Sequence, residues 1–301
     1  MASGPATTLT PRPAAPPVVG LIVSARDPFA QAAGLIDISD GSKVTPDGRW
    51  QNGFEYAVEL AGTGYITSQC DPQSADRALD EQLASPAWEP YVIGDGIKCS
   101  TFGWQGREWA AQALRLLNAN AEFLISHEFW HGAIAVRDNL PNRFLADVAN
   151  VDILTESGPT GLTHGLACLE QYLADMGGQR GMIHASRQVI THWLTLNLIE
   201  RRGNVMFDPF DNIIVPGAGY DGSTPDGADA SDGDVWAYAT GLVDVFRGPV
   251  DYTGLPDDPA WIGRATNDVE VRAEQAAVAS WDGRVHGAVR LDVTMCDVGG
   301  S

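Results

Sequence analysis

The longest helical pattern in the chain covers residues 106–132. Apolar positions recur every three or four residues there, and no proline interrupts them. In the last turn Phe129 and Trp130 appear on the formerly polar side, so the end of the helix is apolar all round and should be covered by other elements. Gly132 follows as a stop signal. The pattern predicts a central spine helix whose apolar face carries Ala110, Ala113, Leu114, Leu117, Ala121 and Leu124.

Shorter patterns predict further elements on both sides of this helix. Residues 160–176 and 186–199 have helical periodicity, and Ser186 is a suitable N-cap for the second. Short apolar runs bounded by turn residues predict strands. These runs are 91–93, 182–185, 205–207, 213–215 and 235–246.

The C-terminal region has a strict alternation of apolar and polar residues. Val269, Val271 and Ala273 alternate with charged residues, and a second alternating run follows the Asp282-Gly283 pair. Two such runs around an Asp-Gly turn predict a long β-hairpin.

The first third of the chain has little apolar content of its own. Residues 1–20 are rich in Pro, Ala and Thr, which predicts an extended tail, and residues 21–55 have short apolar runs broken by Pro and Gly. Residues 56–104 add a long stretch with few regular elements. A loop of this length in a compact domain indicates a function or a contact with a neighbour.

The amino-acid composition limits the classes of function that the chain could have. The chain of 301 residues has 19 basic and 39 acidic residues, a formal charge of −20, so a dedicated nucleic-acid groove is not expected. An acidic surface would instead let DNA lie nearby without adhering. We predict neither a signal peptide nor a membrane span, and we expect a soluble protein made inside the cell. Free thiols are expected at Cys70, Cys99, Cys168 and Cys296.

The sharpest chemical motif is His127-Glu128-Phe129-Trp130-His131. It matches H-E-x-x-H, in which two histidines one turn apart hold zinc and the glutamate activates water. The alternative is a covered helix end whose histidines are hydrogen-bonded.

A zinc peptidase would need a third ligand. Glu170 is the best candidate and Glu156 a weaker one. Gly132 weakens the hypothesis, because it ends the helix directly after the second histidine. His164 and His192 are interpreted as structural. The spacing of the aspartates at 221–234 does not fit a calcium loop.

Three local stretches carry a family resemblance. The end of the spine helix, with Glu128, Trp130 and Gly132, is one. The second is the pair GMIHASRQVITHW and NIIVPGAGYDG, and the third is the C-terminal stretch that contains Arg272-Ala273-Glu274. Together with the order of the predicted elements, they resemble tailed-bacteriophage major capsid proteins of the Hong Kong-97 type, a fold shared with encapsulins.

The resemblance implies an α+β fold with four parts. Residues 1–55 would form an extended N-terminal arm and residues 56–104 an extended loop. Residues 105–159 and 251–301 would form a peripheral domain with the spine helix and long C-terminal strands. Residues 160–250 would form a central, axial domain.

The resemblance also implies that the chain is a structural virion protein and not an enzyme. Pentamers and hexamers would form an icosahedral shell that encloses double-stranded DNA without binding it specifically, in contact with a portal and with a separate scaffold or decoration protein. No catalytic, cofactor-binding or metal-binding residue is expected, and no membrane partner. Covalent cross-linking has little support, since Lys43 and Lys98 are the chain's lysines. The alternatives are a minor capsid protein, an encapsulin-like compartment and the zinc peptidase.

Overall fold

The computed structural model describes residues 35–37, 49–56, 87–100, 108–176, 180–254, 262–263, 268–281, 283 and 285–294. Within these ranges the chain is α+β, as predicted. Its helices are α1 (Trp109–His131), α2 (Ala133–Asp138), α3 (Leu162–Asp175) and α4 (Arg187–Thr195). A 3-10 helix covers Arg49–Asn52.

The strands that the structure describes range in length from 2 to 13 residues. The first seven are β1 (Leu35–Asp37), β2 (Phe54–Tyr56), β3 (Ala87–Trp88), β4 (Tyr91–Ser100), β5 (Asp152–Ile153), β6 (Met182–Ala185) and β7 (Glu200–Arg202). The other seven are β8 (Val205–Phe207), β9 (Ile213–Val215), β10 (Val235–Thr240), β11 (Asp244–Thr253), β12 (Ile262–Gly263), β13 (Asp268–Ser280) and β14 (His286–Leu291).

One sheet is built around β13, which pairs with β4 along one edge and with β11 and β12 along the other. Helix α1 packs across one face of this sheet. The predicted alternation is confirmed, because Val269, Val271 and Ala273 are buried toward the helix while Arg272 is exposed. We call this two-layer unit the slab.

A second sheet has the strand order β5-β14-β10-β6-β9-β8-β7 over the described part of the chain. Here β10 is buried on both faces. Val235, Ala237 and Ala239 share a core with α3 and α4, whereas Trp236 and Tyr238 belong to the core around α1. We call this unit the central sheet.

The predicted helix boundaries follow local capping. Helix α1 ends at Gly132, whose φ is 62° and whose backbone N–H donates to the Glu128 carbonyl oxygen at 2.7 Å. A Cβ at this position would lie 2.1 Å from the Phe144 ring, so glycine is required there. Helix α4 starts after Ser186, whose Oγ accepts from the Val189 N–H, as the sequence predicts.

The predicted C-terminal hairpin is wrong. Strand β13 belongs to the slab, while β14 pairs with β10 and β5 in the central sheet. The turn near Gly283 therefore passes the chain from one sheet to the other.

The run 235–246, predicted as one strand, divides in the same way. It forms β10 and the start of β11, which lie in different sheets. Tyr238 before this crossing and Val243 after it belong to the same core, so the chain stays buried as it passes from one sheet to the other.

A small sheet of β1, β2 and β3 lies against the slab. The ring of Phe54 is 5.2 Å from that of Phe246 on β11, and the rings of Trp88 and Trp281 are 5.0 Å apart. Residues 1–34, 38–48 and 57–86, which hold most of the predicted arm and loop, lie outside the described residues. Among the helices that the structure describes, none is long and apolar enough to cross a bilayer.

Candidate functional site

The two histidines of the H-E-x-x-H motif lie side by side on the last turn of α1. Their ring centroids are 4.4 Å apart, and the Phe123 ring is 5.6 Å from His127 on the other side. Burial lowers the pKa of His127, the charge of His131 lowers it further, and Asp221 opposes both. The pair is therefore close enough to share one ligand.

The glutamate of the motif has a structural role. The Glu128 carboxylate accepts from the backbone N–H of Ile134 at 2.9 and 3.0 Å and from that of Ala135 at 3.0 Å. These N–H groups open α2 and have no partner within their own helix, so Glu128 caps the helix. Burial raises the pKa of Glu128, and the two backbone bonds oppose that shift. Its oxygens are engaged at α2 rather than beside the histidines.

The second histidine contacts the turn that follows β9. Nε2 of His131 lies 3.1 Å from Oδ2 of Asp221. Burial raises the pKa of Asp221, but this contact and the Ser223 hydrogen bond outweigh the effect, and the net shift is downward.

Three more contacts join this turn to the same end of α1. The Gly219 N–H donates to the buried Ser126 Oγ at 2.8 Å, and Trp130 Nε1 donates to Ser223 Oγ at 2.8 Å. A Cβ at Gly219 would lie 2.5 Å from the His127 backbone nitrogen, so the chain passes directly over the helix. The motif therefore forms a joint between α1 and the central sheet.

The proposed third zinc ligands lie elsewhere. Glu170 is on α3, where burial and the charge of Asp208 raise its pKa to about 7, and Glu156 is exposed. Within the described ranges, no group of three or more His, Cys, Asp or Glu side chains could hold a metal ion.

Two histidines that the sequence analysis did not single out lie at the centre of the molecule. His184 on β6 is fully buried, with Nδ1 3.0 Å from the Tyr220 hydroxyl and Nε2 2.8 Å from Thr240 Oγ1. Burial and the nearby His286 lower its pKa to about 3. The sequence contains a signal for this site, because His184 is a polar residue in an otherwise apolar strand.

The second central histidine is the first residue of β14. His286 is buried, and its Nε2 donates to the Leu145 carbonyl at 2.9 Å. Burial lowers the pKa of His286 to about 4. Both rings are therefore neutral near pH 7.

The other sequence candidates are at the surface. His164 on α3 is exposed, and its Nε2 lies 3.6 Å from the sulfur of Cys168. His192 is exposed rather than packed, which corrects the structural interpretation given to it. Cys99 and Cys168 are free thiols, as predicted, and the other two cysteines lie outside the described residues.

The surface of the slab has an open hollow in place of an enclosed cleft. It measures about 410 Å³, lies over Gly94 and Gly96, and is bordered by Lys98, Glu270 and Arg272. Its lining contains no serine, cysteine or histidine. Val92, which lines the hollow, is 66% exposed. Large apolar side chains are also exposed elsewhere, among them Val136 at 69%, Val148 at 60% and Phe210 at 70%.

No protein-family model and no curated protein matches the chain. Similar solved structures include that of Microbacterium phage Oxtober96, with 11% identity, a TM-score of 0.48 and coverage of 97% of this chain and 96% of that chain. The capsid of an empty GTA particle has 11% identity, a TM-score of 0.46 and coverage of 80% and 85%. The holo-SrpI encapsulin complex of Synechococcus elongatus has 11% identity, a TM-score of 0.44 and coverage of 74% and 80%. Identities this low transfer no residue's role to this chain.

Proposed function

We propose that this chain is a non-enzymatic shell protein, the major capsid protein of a tailed bacteriophage. Copies would assemble into pentamers and hexamers of an icosahedral shell that encloses double-stranded DNA. The single observation that carries the proposal is the construction of the slab, a long helix on one face of a sheet whose other face is open along β13 from Asp268 to Ala276.

The dimensions of the slab suit a wall. Helix α1 has 23 residues, which corresponds to about 35 Å. Strand β13 has 13 residues, which corresponds to about 43 Å. Buried residues face the helix, and Glu270, Arg272 and Glu274 line the opposite face. A unit this long and only two layers thick has a large area in which to contact neighbours.

The zinc peptidase has weaker support, because its motif residues are already engaged. Glu128 caps α2, His131 contacts Asp221, and the chain at Gly219 covers the backbone of His127. A peptidase needs a base and a water beside the metal, in an open site.

In the proposed shell, residues 1–55 and 56–104 would lie across neighbouring copies, and residues 160–250 would meet their counterparts around a five- or six-fold axis. Residues 105–159 and 251–301 would form the peripheral part of each subunit. Several modest contacts made at once raise the effective concentration of each further contact, which closes the shell.

The charge of the chain supports a container for nucleic acid rather than a binder of it. At a net charge of −20, a wall would repel packed DNA and leave it free to move. The subunit would be made in the host cytoplasm and reside in the virion, beside a portal and a separate scaffold or decoration protein.

The test is to express the chain alone, with a matched variant that lacks residues 1–20. Electron microscopy and sedimentation measure particle size, and elemental analysis measures bound zinc on the same sample. We expect large closed particles without stoichiometric zinc from the full chain, and folded subunits that assemble poorly from the variant.

A zinc-containing monomer with peptidase activity would overturn the proposal. Normal particles from the shortened variant would remove the arm from the mechanism. Copy number in purified particles separates a major from a minor capsid protein, and a protein cargo in place of DNA would indicate an encapsulin-like compartment.

A further inference from the structure

The central sheet has two edges of opposite character. Strand β7 forms one edge, and its residues Glu200–Arg202 are all exposed. Over the described part of the chain, β7 pairs only with β8, so its outer edge carries unpaired backbone groups. Such an edge is able to accept contacts from another chain.

The β7 edge has more arginines than acids. Arg202 lies 5.1 Å above the Phe207 ring and pairs with Glu200 and Asp211. Arg180 reaches the same aspartate at 3.0 Å, and the guanidinium of Arg201 is held by a backbone carbonyl.

Three guanidinium groups face two carboxylates at this edge, in a chain whose acidic residues outnumber its basic ones two to one. The edge also has an exposed apolar side chain. Phe210, in the adjoining turn between β8 and β9, is 70% exposed. We call this surface the arginine edge, defined by Arg180, Arg201, Arg202 and Phe210.

The opposite edge is formed by β5 and the chain that follows it. Ile153 is 38% exposed, and the nearby Val148 is 60% exposed. Thr160 extends this edge, because its N–H donates to the Arg290 carbonyl on β14 at 2.9 Å. Apolar contacts are therefore available at this edge as well.

An acidic loop borders this second edge. Residues 226–234 include four aspartates and no basic residue. The loop is fixed to the end of β14, since the Gly233 N–H donates to the Val293 carbonyl at 3.0 Å and Asp234 pairs with Arg290 at 2.6 Å. Asp229 and Asp232 are exposed. We call this surface the aspartate edge, defined by Ile153, Asp226, Asp229 and Asp232.

The two edges are separated by the width of the sheet. Six interstrand spacings correspond to about 29 Å. This is longer than the screening length of about 8 Å at physiological salt, so the edges do not neutralise each other within one subunit. Each edge therefore keeps its own local balance of charge.

We infer that copies of this chain associate head to tail, with the arginine edge of one subunit against the aspartate edge of the next. A contact between two arginine edges would oppose guanidinium groups, and one between two aspartate edges would oppose carboxylates. The mixed contact brings opposite charges together and covers Phe210. Such a heterologous contact produces a ring when its rotation closes. The inference rests on the proposed shell function. It specifies that every subunit in a pentamer or hexamer presents its arginine edge to one neighbour and its aspartate edge to the other.

Two variants test the polarity. The arginine-edge variant carries Arg201→Glu and Phe210→Asp, and the aspartate-edge variant carries Asp229→Lys and Asp232→Lys. All four side chains are exposed, so the fold should survive, which circular dichroism and thermal unfolding will check. Arg115→Glu, on the exposed side of α1, is the matched charge control.

Each variant keeps one intact edge. Alone, each should self-associate at least tenfold more weakly than the wild type in sedimentation velocity, while the control should match the wild type. An equimolar mixture should regain self-association, because the intact aspartate edge of the first variant meets the intact arginine edge of the second, and the two reversed edges also carry opposite charges.

The remaining outcomes separate the two levels of the proposal. A wild-type chain that stays monomeric and never forms particles contradicts the shell function itself. Wild-type particles together with edge variants that assemble normally contradict only the head-to-tail contact. Folded variants that fail to pair in the mixture, or an aspartate-edge variant that dimerises alone, also overturn the head-to-tail contact.

Discussion

The slab and the central sheet differ in how many faces they bury. In β13 the buried and partly exposed residues alternate from Asp268 to Ala276, because α1 covers one face there and the other is open, whereas the last four residues are all buried. In β10 all six residues are buried, because helices α3 and α4 cover one face and the end of α1 meets the other. One sheet is therefore built to present a surface, and the other to hold the subunit together.

The comparison predicts that the largest loss of stability comes from the joint between the two units. Trp130 is fully buried, packs edge-on against Tyr238 at 4.8 Å, and donates to Ser223. Trp130→Ala should lower the free energy of unfolding by about 3–5 kcal/mol, since it leaves a cavity and an unpaired hydroxyl. Urea denaturation measures the loss.

Phe123→Ala is the matched control, because Phe123 is on the same helix and 48% exposed. It should cost roughly 1 kcal/mol or less. Equal losses from the two substitutions would show that the joint is no more important than the surface of α1.

A second prediction concerns acid, which acts on the central sheet rather than on the slab. The folded pKa values of His184 and His286 are about 3 and about 4, below the ordinary value of 6.5. Below pH 6.5 the unfolded chain binds protons that the folded chain does not. Stability should therefore fall as the pH drops from 6.5 toward 4, by at most ~1.4 kcal/mol per pH unit for each histidine.

Glu170 acts in the opposite direction, since its pKa is raised to about 7 and the folded chain binds the extra proton between about pH 4.5 and 7. Comparison with His286→Gln removes this contribution, because both proteins retain Glu170, and glutamine still donates to Leu145. Between about pH 7.5 and about pH 5, the wild type should lose roughly 2 kcal/mol more than the variant. Identical losses would mean that His286 titrates normally.

The smallest effect is expected at Glu128, where the amide of Glu128→Gln keeps an oxygen for the N–H groups of α2. The substitution should change the free energy of unfolding by less than about 1 kcal/mol, and particle yield should not change. Glu128→Ala, which removes the cap, should cost about 1–2 kcal/mol. A glutamine variant that folds but fails to assemble would assign Glu128 a role beyond capping.

The elements that the sequence predicted well are those set by local rules. Helix α1 stops at Gly132 and α4 starts after Ser186, because capping depends on neighbouring residues alone. The alternation in β13 and the strands 205–207 and 213–215 were also predicted correctly.

Pairing between distant residues was harder to predict. Gly94 and Gly96 look like turn residues, yet both lie inside β4, where a Cβ at Gly96 would be 2.6 Å from the Val271 carbonyl oxygen. The Asp282-Gly283 pair predicts a hairpin, yet the described strands on either side of it, β13 and β14, lie in different sheets. The roles of Glu128 and His184 depend on partners from other elements, which periodicity cannot supply.

The two changes of sheet, between β10 and β11 and between β13 and β14, have a mechanical consequence. At these two places the polypeptide backbone passes directly from one sheet to the other, in addition to the longer passage from β4 through α1 and α2 to β5, and Trp281 is buried at the second place. A pull on the long strands of the slab would therefore reach the central sheet through covalent bonds, before any side-chain contact had to bear it. In the proposed shell, pressure from inside would therefore load the two sheets of the subunit together rather than open a hinge between them.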